Sequence, residues 1–302
     1  MPTRTEYFGN VFTNLGPLTT TYTPPASCTT VTTDRIRYAN ATSIQWVFGG
    51  PSCGPAPMGE CLPSGSAFDE LASYYRTNNA QDFWDYYSPG VICPKGWTTA
   101  GTLAHGDKTS SAQKSGVFTQ DPWERVPGWD YFFLSPEEVW LNVLEASETL
   151  AYCCPSGWVA DIWGGCYSSI EPFESATYTD MCYRVVPLSA LVTVYTIDGT
   201  SVSEPKHSFL PITENIVKTA AFTTNTHAGI TDFDDIAIVR VFRAVAVVYK
   251  DSDVKAKDAD DNGASTLSTV GGVGSVIAVL IGVDGVIYGL GGAVYGGIAT
   301  GC

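Results

Sequence analysis

The residues of this chain best suited to do chemistry are eight cysteines: Cys28, Cys53, Cys61, Cys93, Cys153, Cys154, Cys166 and Cys182. Their number is even, as four bridges require, so the chemistry they point to is oxidation to disulfides. Cys153 and Cys154 are adjacent. A bridge needs alpha carbons about 5.5 Å apart and suitably directed side chains, so neighbours of this kind reach different partners. Spacing alone does not choose among the many pairings. Zinc is the competing chemistry, and it wants close cysteine pairs or interleaved histidines. Here the gaps are wide, and His105, His207 and His227 lie near no cysteine.

Other reactive patterns fail on their surroundings. Gly50-Pro51-Ser52-Cys53-Gly54 matches the GxSxG of serine hydrolases. That elbow needs a following helix, and Pro55 and Pro57 stand where the helix should start. Asp258-Ala259-Asp260-Asp261-Asn262-Gly263 matches the first half of a calcium loop. Its last ligand position falls on Thr269, where a bidentate glutamate is required. Asp82 with Asp85, or Glu137 with Glu138, could form the carboxylate pair of a glycosidase, but nothing in the sequence fixes their spacing across a cleft. The sequence therefore calls for no catalytic residue, no metal and no cofactor.

Aromatic residues are the remaining candidates. Trp84, Tyr86 and Tyr87 lie in an aromatic stretch able to stack on sugar rings, although core packing is the commoner fate of such residues. Trp97 and Trp158 close two copies of one pattern, Cys93-Pro94-Lys95-Gly96-Trp97 and Cys154-Pro155-Ser156-Gly157-Trp158. Proline presets one backbone angle and glycine accepts a positive one, so each copy reads as a tight turn. Its tryptophan is placed to cover the adjacent disulfide or to meet a ligand. Asn40-Ala41-Thr42 is a glycosylation sequon, with Asn40 as acceptor.

These residues need a scaffold, and the pattern around them is α+β and β-rich. Hydrophobic residues make up 44% of the chain, enough to bury a core. Ser43 to Phe48 reads as a strand. Ser66 to Asn78 reads as a helix, with Ser66 and Asp69 as a capping box. Ser135-Pro136-Glu137-Glu138 is a second helix start, followed by an apolar face of Val139, Trp140, Val143 and Leu144. His105 to Gly116 reads as a polar surface insertion. Ala190 to Ile197 is a strand ending on the hairpin signal Asp198-Gly199. Ile236 to Tyr249 reads as one long strand with a buried face, with Arg240 and Arg243 inside it.

Five segments follow. Residues 1–27 are rich in Thr and Pro and short of core material, and they contain no apolar run of about 7–15 residues such as a signal peptide has. Residues 28–182 are the cysteine-containing domain. Residues 183–250 are a β-rich, membrane-proximal region, and residues 251–269 an acidic linker. Residues 270–302 form a glycine-rich hydrophobic tail read as a transmembrane segment. A central aspartate, Asp284, costs roughly 2.5–3.5 kcal/mol on insertion, while each Val, Ile or Leu returns roughly 0.3–0.6. Ten such residues between Val273 and Ala293 offset it. A lipid-anchor signal around Asn262-Gly263-Ala264, or a soluble hairpin at Val283-Asp284-Gly285-Val286, are the alternatives. Gly285, Gly289, Ala293, Gly297 and Gly301 share one helical face suited to close helix pairing.

The net charge of −15 argues against nucleic acid, which needs clustered Lys and Arg. Lysines before the tail favour a cytoplasmic domain by the positive-inside rule. The cysteines favour an oxidising compartment and carry more weight.

Several short motifs occur in a fixed order. They are Leu15-Gly16-Pro17-Leu18, Cys61-Leu62-Pro63-Ser64-Gly65, Tyr87-Ser88-Pro89-Gly90 with the Cys93 turn, Tyr152-Cys153 running into the Cys154 turn, and Tyr249-Lys250-Asp251-Ser252-Asp253 before the apolar tail. In this the chain resembles the cysteine-containing ectodomain proteins of filamentous ascomycete fungi, single-pass membrane proteins by their sequence pattern. The resemblance implies an extracellular domain, one span and a short cytoplasmic tail, and supplies no catalytic residues. This chain differs in its start, in the long stretch from Trp97 to Tyr152, and in having no basic residues after the tail.

The sequence thus leads to a disulfide-stapled, non-enzymatic surface glycoprotein with its domain outward at the plasma membrane. Lipid would meet residues 270–302, and a cell-wall polysaccharide or a protein would be the partner. A secreted carbohydrate-active hydrolase or a carbohydrate-binding module is the alternative.

Overall fold

The computed structural model describes residues 2–3, 5–29, 35–53, 57–77, 82–105, 112–120, 132–184, 188–197, 200–209, 217–222 and 232–260. Its strands are β1 (Glu6–Tyr7), β2 (Asn10–Asn14), β3 (Ile36–Asn40), β4 (Ser43–Gly49), β5 (Asp82–Tyr86), β6 (Trp97–Ala104), β7 (Gln113–Gly116), β8 (Phe132–Phe133) and β9 (Glu148–Pro155). They continue as β10 (Val159–Ala160), β11 (Gly165–Pro172), β12 (Asp180–Arg184), β13 (Leu191–Ile197), β14 (Thr200–Phe209), β15 (Val217–Ala221), β16 (Ile236–Arg243) and β17 (Val245–Lys250). The helices are α1 (Ser66–Thr77), α2 (Pro136–Leu141) and α3 (Asp251–Asp260). The fold is β-rich and carries four disulfides: Cys28–Cys61, Cys53–Cys182, Cys93–Cys153 and Cys154–Cys166. The adjacent cysteines reach separate partners, as bridge geometry demands.

One antiparallel sheet has the order β17-β9-β6-β7. Strand β9 lies inside it and is buried along most of its length. Val245, Val247 and Val248 of β17 are also buried, as suits branched side chains on a strand covered on both faces. Trp140 of α2 packs beneath, with Leu103, Phe118, Leu144 and Leu150. Helix α2 begins as its sequence dictates. Ser135 accepts the Glu138 N–H, and Glu138 accepts the Ser135 N–H, closing a capping box with proline at the first turn.

The N-terminal segment, expected to lack core material, supplies Tyr7, Phe12 and Leu18 to this core. Strand β2 pairs in parallel with β5, setting Phe12 opposite Trp84. The N–H of Tyr87 donates to Ala246 O, and Val248 N donates back to Tyr87 O, so the extension of β5 is tied to β17.

A second antiparallel sheet has the order β10-β11-β16-β3-β4. Strand β4 approaches β10 and β11, so this sheet curls towards a barrel. One face carries Ala39, Tyr167, Ala237 and Val239. The other carries Ile36, Tyr38, Phe173, Ile236 and Ile238, met by Phe48, Tyr178, Met181, Phe222 and Phe233. The pair β12-β15 lies beside β4, where Cys182 and Gly50 exchange two backbone hydrogen bonds of 2.7 and 3.0 Å. A Cβ at Gly49 would come within 2.7 Å of the Met181 side chain, so the close approach needs glycine.

Several expectations are corrected. The Ile236–Tyr249 run is two strands in different sheets. It breaks at Ala244, whose N–H donates to Gly164 O at 2.8 Å. The acidic linker opens as helix α3. Asp253 caps it by accepting the Lys250 N–H at 2.8 Å, and Val254 is buried. Within His105–Gly116, residues 113–116 form β7 and pair with β6; residues 106–111 lie outside the described residues. Asp69 does not cap α1 but accepts the N–H groups of Met58 and Gly59, at 2.7 and 2.8 Å. The division at residue 183 does not separate sheets, since β11 pairs β16, β9 pairs β17 and β8 pairs β14. Asp198-Gly199 lie outside the described residues, although Ile197 pairs with Thr200 across them.

Residues 261–302, including the whole hydrophobic tail, also lie outside them. No helix among the described residues is long and apolar enough to cross a membrane.

Candidate functional site

A shallow cleft with room for about one water lies where the two larger sheets meet, lined by Trp84, Asp85, Trp140, Tyr152, Trp163 and Arg243. Trp84 and Asp85 come from β5, Trp140 from α2, Tyr152 from β9 and Arg243 from the end of β16. Trp163 stands in the turn between β10 and β11.

The walls are fixed by hydrogen bonds from buried rings. Trp140 Nε1 donates to Tyr152 Oη at 2.7 Å, and Trp84 Nε1 donates to Asn10 Oδ1 at 3.1 Å. The two indoles meet edge to face with centroids 5.6 Å apart, a favourable arrangement for ring quadrupoles. Phe12 meets Trp140 the same way at 5.2 Å.

At the mouth, Trp163 is 39% exposed while Trp84 and Trp140 are 2% and 0% exposed. Its turn is braced by Asp161. The Asp161 carboxylate accepts the Gly165 N–H at 2.7 Å and the Tyr167 hydroxyl at 2.6 Å. Gly164 adopts φ +82°, and a Cβ at Gly165 would collide with the Tyr167 ring. Both glycines are required by the backbone path. Burial pushes the Asp161 carboxyl above its ordinary value, against the lowering effect of the Tyr167 and backbone hydrogen bonds. Burial, then Asp161, drive the Tyr167 hydroxyl well above its ordinary value.

Asp85 and Arg243 form an ion pair, Nε to Oδ1 at 3.2 Å. Arg243 also donates to Phe83 O at 2.7 Å and lies 5.4 Å from the Phe83 ring centroid. Burial raises the Asp85 carboxyl, and the Arg243 charge pulls it back.

The aromatic candidates from the sequence divide. Trp84 lines the cleft. Tyr86 and Tyr87 are 3% and 4% exposed and serve the core, which corrects their reading as ligand contacts. Trp97 and Trp158 are half-buried and converge on Phe242, at 6.1 and 5.4 Å. The Arg240 guanidinium sits over both Trp158 and Phe242. Their turns therefore build a packing node rather than an open face.

Asn40 accepts the N–H and hydroxyl of Thr42, at 2.8 and 2.6 Å, in the turn between β3 and β4. Ala41 and Thr42 are exposed there. Cys53 of the GxSxG match is bonded to Cys182. Glu138 caps α2, and Glu137 pairs with Lys114 at 2.9 Å. No group of three or more His, Cys, Asp and Glu among the described residues could hold a metal ion.

Sequence reasoning missed Asp161, Trp163 and the pairing of Arg243. The signal was present in Asp161-Ile162-Trp163-Gly164-Gly165, where two glycines mark a turn and a tryptophan precedes them. No protein-family model, curated protein or solved structure matches the chain.

Proposed function

We propose that this chain is the outward-facing, non-enzymatic domain of a cell-surface glycoprotein, tethered through residues 270–302, that binds a polysaccharide or protein partner. The four disulfides carry the reading. They join elements between Cys28 and Cys182, and such bonds persist in oxidising compartments and are rare in the cytosol. The apolar tail, the exposed sequon turn at Asn40 and the ascomycete resemblance agree with it. A hydrolase finds less support, because Asp85 is paired with Arg243, Glu137 with Lys114, and Glu138 caps α2.

The test is full-length protein expressed in a secretory host. The expected result is protein in the membrane fraction, released by detergent but not by alkaline carbonate. All eight cysteines should resist alkylation before reduction, and a glycan mass should be lost in Asn40→Gln. Free thiols at those positions, or an intact chain that stays dispersed in buffer, would overturn the proposal.

A further inference from the structure

We propose that the Cys53–Cys182 bridge is a site of thiol–disulfide exchange, opened by an external dithiol that attacks Cys182 and expels Cys53. The inference goes beyond the surface reading, because it concerns the chemistry of one bond rather than where the domain resides.

Access singles this bond out. Each of the other three bridges has at least one buried cysteine: Cys61, Cys153, or both Cys154 and Cys166. Neither Cys53 nor Cys182 is buried. Exchange begins when a thiolate reaches a disulfide sulfur, so the core shields three bonds and leaves this one open to attack.

The surroundings make its two sulfurs unequal. Cys182 of β12 stands opposite Thr219 of β15. The Thr219 hydroxyl lies 3.2 Å from Cys53 Sγ. A disulfide sulfur carries no proton, so the hydroxyl is the donor. Among the described residues nothing donates to Cys182 Sγ. A donor favours the thiolate over the thiol, and the sulfur that better bears negative charge leaves faster. Cys53 is therefore the leaving group and Cys182 the sulfur attacked.

The step balances. The attacking thiolate bonds to Cys182 Sγ, and the electron pair of the Cys53–Cys182 bond goes to Cys53, which then takes a proton from solvent. The second thiol of the same reagent closes on the first, releasing Cys182 as a thiolate that is protonated in turn. Two electrons and two protons pass to the protein, and the reagent departs as a disulfide.

Position limits what opening does. The bond fastens β12 and β15 to the segment after β4, beside the backbone pair of Gly50 and Cys182. Phe222 follows β15 and meets Tyr38, Phe48 and Phe173. Opening loosens this strand pair and its ring while three bridges still close the larger core, so the change is reversible rather than an unfolding.

The test uses the full chain in detergent with dithiothreitol as the dithiol probe, followed by acid quench, alkylation and mass mapping of each cysteine. Cys53 and Cys182 should become alkylated together, at reductant levels about tenfold below those that open any other bridge. Reduced glutathione, which has one thiol, should be trapped on Cys182. Thr219→Val keeps the side-chain shape and loses the donor, so opening should slow by about fivefold, the worth of one hydrogen bond. Thr219→Ser should recover the rate.

Prior opening of another bridge, or opening of all four together, would overturn the proposal. So would glutathione trapped on Cys53, a rate in Thr219→Val equal to or above the native one, or no recovery in Thr219→Ser.

Discussion

The core around the four-stranded sheet and the aromatic cluster on the curled sheet are held together by different means. The first gathers Cys61, Cys153, Cys154 and Cys166 into its buried interior, with Cys28 and Cys93 packed against it. Three bridges therefore stitch a region that already buries Trp84, Trp140 and a valine-rich strand. The second relies on rings. Phe222 lies 4.9 Å from Tyr38 and 4.6 Å from Phe173, and Phe173 stacks on Phe233 at 5.3 Å. The bridge at its edge is Cys53–Cys182, while Cys154–Cys166 ties β11 of the same sheet to β9. The contrast shows that cross-links need not sit where packing is weakest. Here three gather in the larger buried core, and one long-range bond reaches the smaller aromatic cluster.

Cutting that bond is the strongest test. Cys53 and Cys182 are 129 residues apart, so loop entropy alone assigns the bridge about 5 kcal/mol. The 12-residue separation of Cys154 and Cys166 gives about 3 kcal/mol on the same basis. In the double variant Cys53→Ser/Cys182→Ser, amides of β12 and β15 should exchange with solvent early while β9 and β17 stay protected. Mild reductant should open the same bond first, because both its cysteines are half-buried whereas Cys153, Cys154 and Cys166 are at most 2% exposed. Simultaneous loss of protection in both regions would break the comparison.

Trp140→Ala probes the dense region without touching sulfur. Its ring is fully buried against Phe12, Trp84 and Tyr86, so truncation should cost about 3–5 kcal/mol in denaturant unfolding. Phe222→Ala, at a half-buried ring, should cost less. If the order is reversed, the aromatic cluster is the true stabilising centre.

The same contrast separates what the sequence discloses from what it hides. Local signals survive folding: the capping box at Ser135, the β4 strand and the separate partners of Cys153 and Cys154 follow from chemistry within a few residues. The run Ile236 to Tyr249 misleads because hydrophobic pattern reports burial, not which sheet supplies it. Both its halves are buried, but Ala244 turns the chain from one sheet into the other through a bond to Gly164. Phe12 misleads for a related reason. Its threonine- and proline-rich surroundings look peripheral, and only a parallel pairing with β5, some seventy residues away, brings it inside. The cleft is less legible still. It assembles side chains from β5, α2, β9, β16 and one turn, and no local spacing could have placed them together.

Smaller effects sharpen the comparison at single hydrogen bonds. Tyr38 is fully buried at its ring and donates its hydroxyl to Asp180 O at 2.8 Å. Tyr38→Phe removes the bond and leaves the ring packing, so it should cost about 1 kcal/mol. Ser135→Ala removes the cap of α2 and should cost a similar amount, about 1 kcal/mol. The two losses should differ in place: the first loosens exchange protection around β12, the second around α2. A spread of either loss across both regions would mean that the two cores unfold as one.

The least perturbing test asks whether the dense region is dry. Burial raises the carboxyl of Asp161 from its ordinary value of 3.8, although Tyr167 and two backbone N–H groups stabilise the charged form. The native state therefore keeps this proton to a higher pH than the unfolded chain does. Its contribution is fully present below the unfolded value and is lost as pH rises through the raised native value. At neutral pH the buried charge is a penalty. Asp161→Asn keeps the shape and cannot ionise, so the stability of the variant relative to the native chain should improve as pH rises above about 4. Urea midpoints for the two proteins across the acid range read this difference directly, and other titrating groups cancel in it. A difference that moves the opposite way would show that hydrogen bonding outweighs desolvation at this turn. The region behind Trp163 would then be wetter than its packing implies.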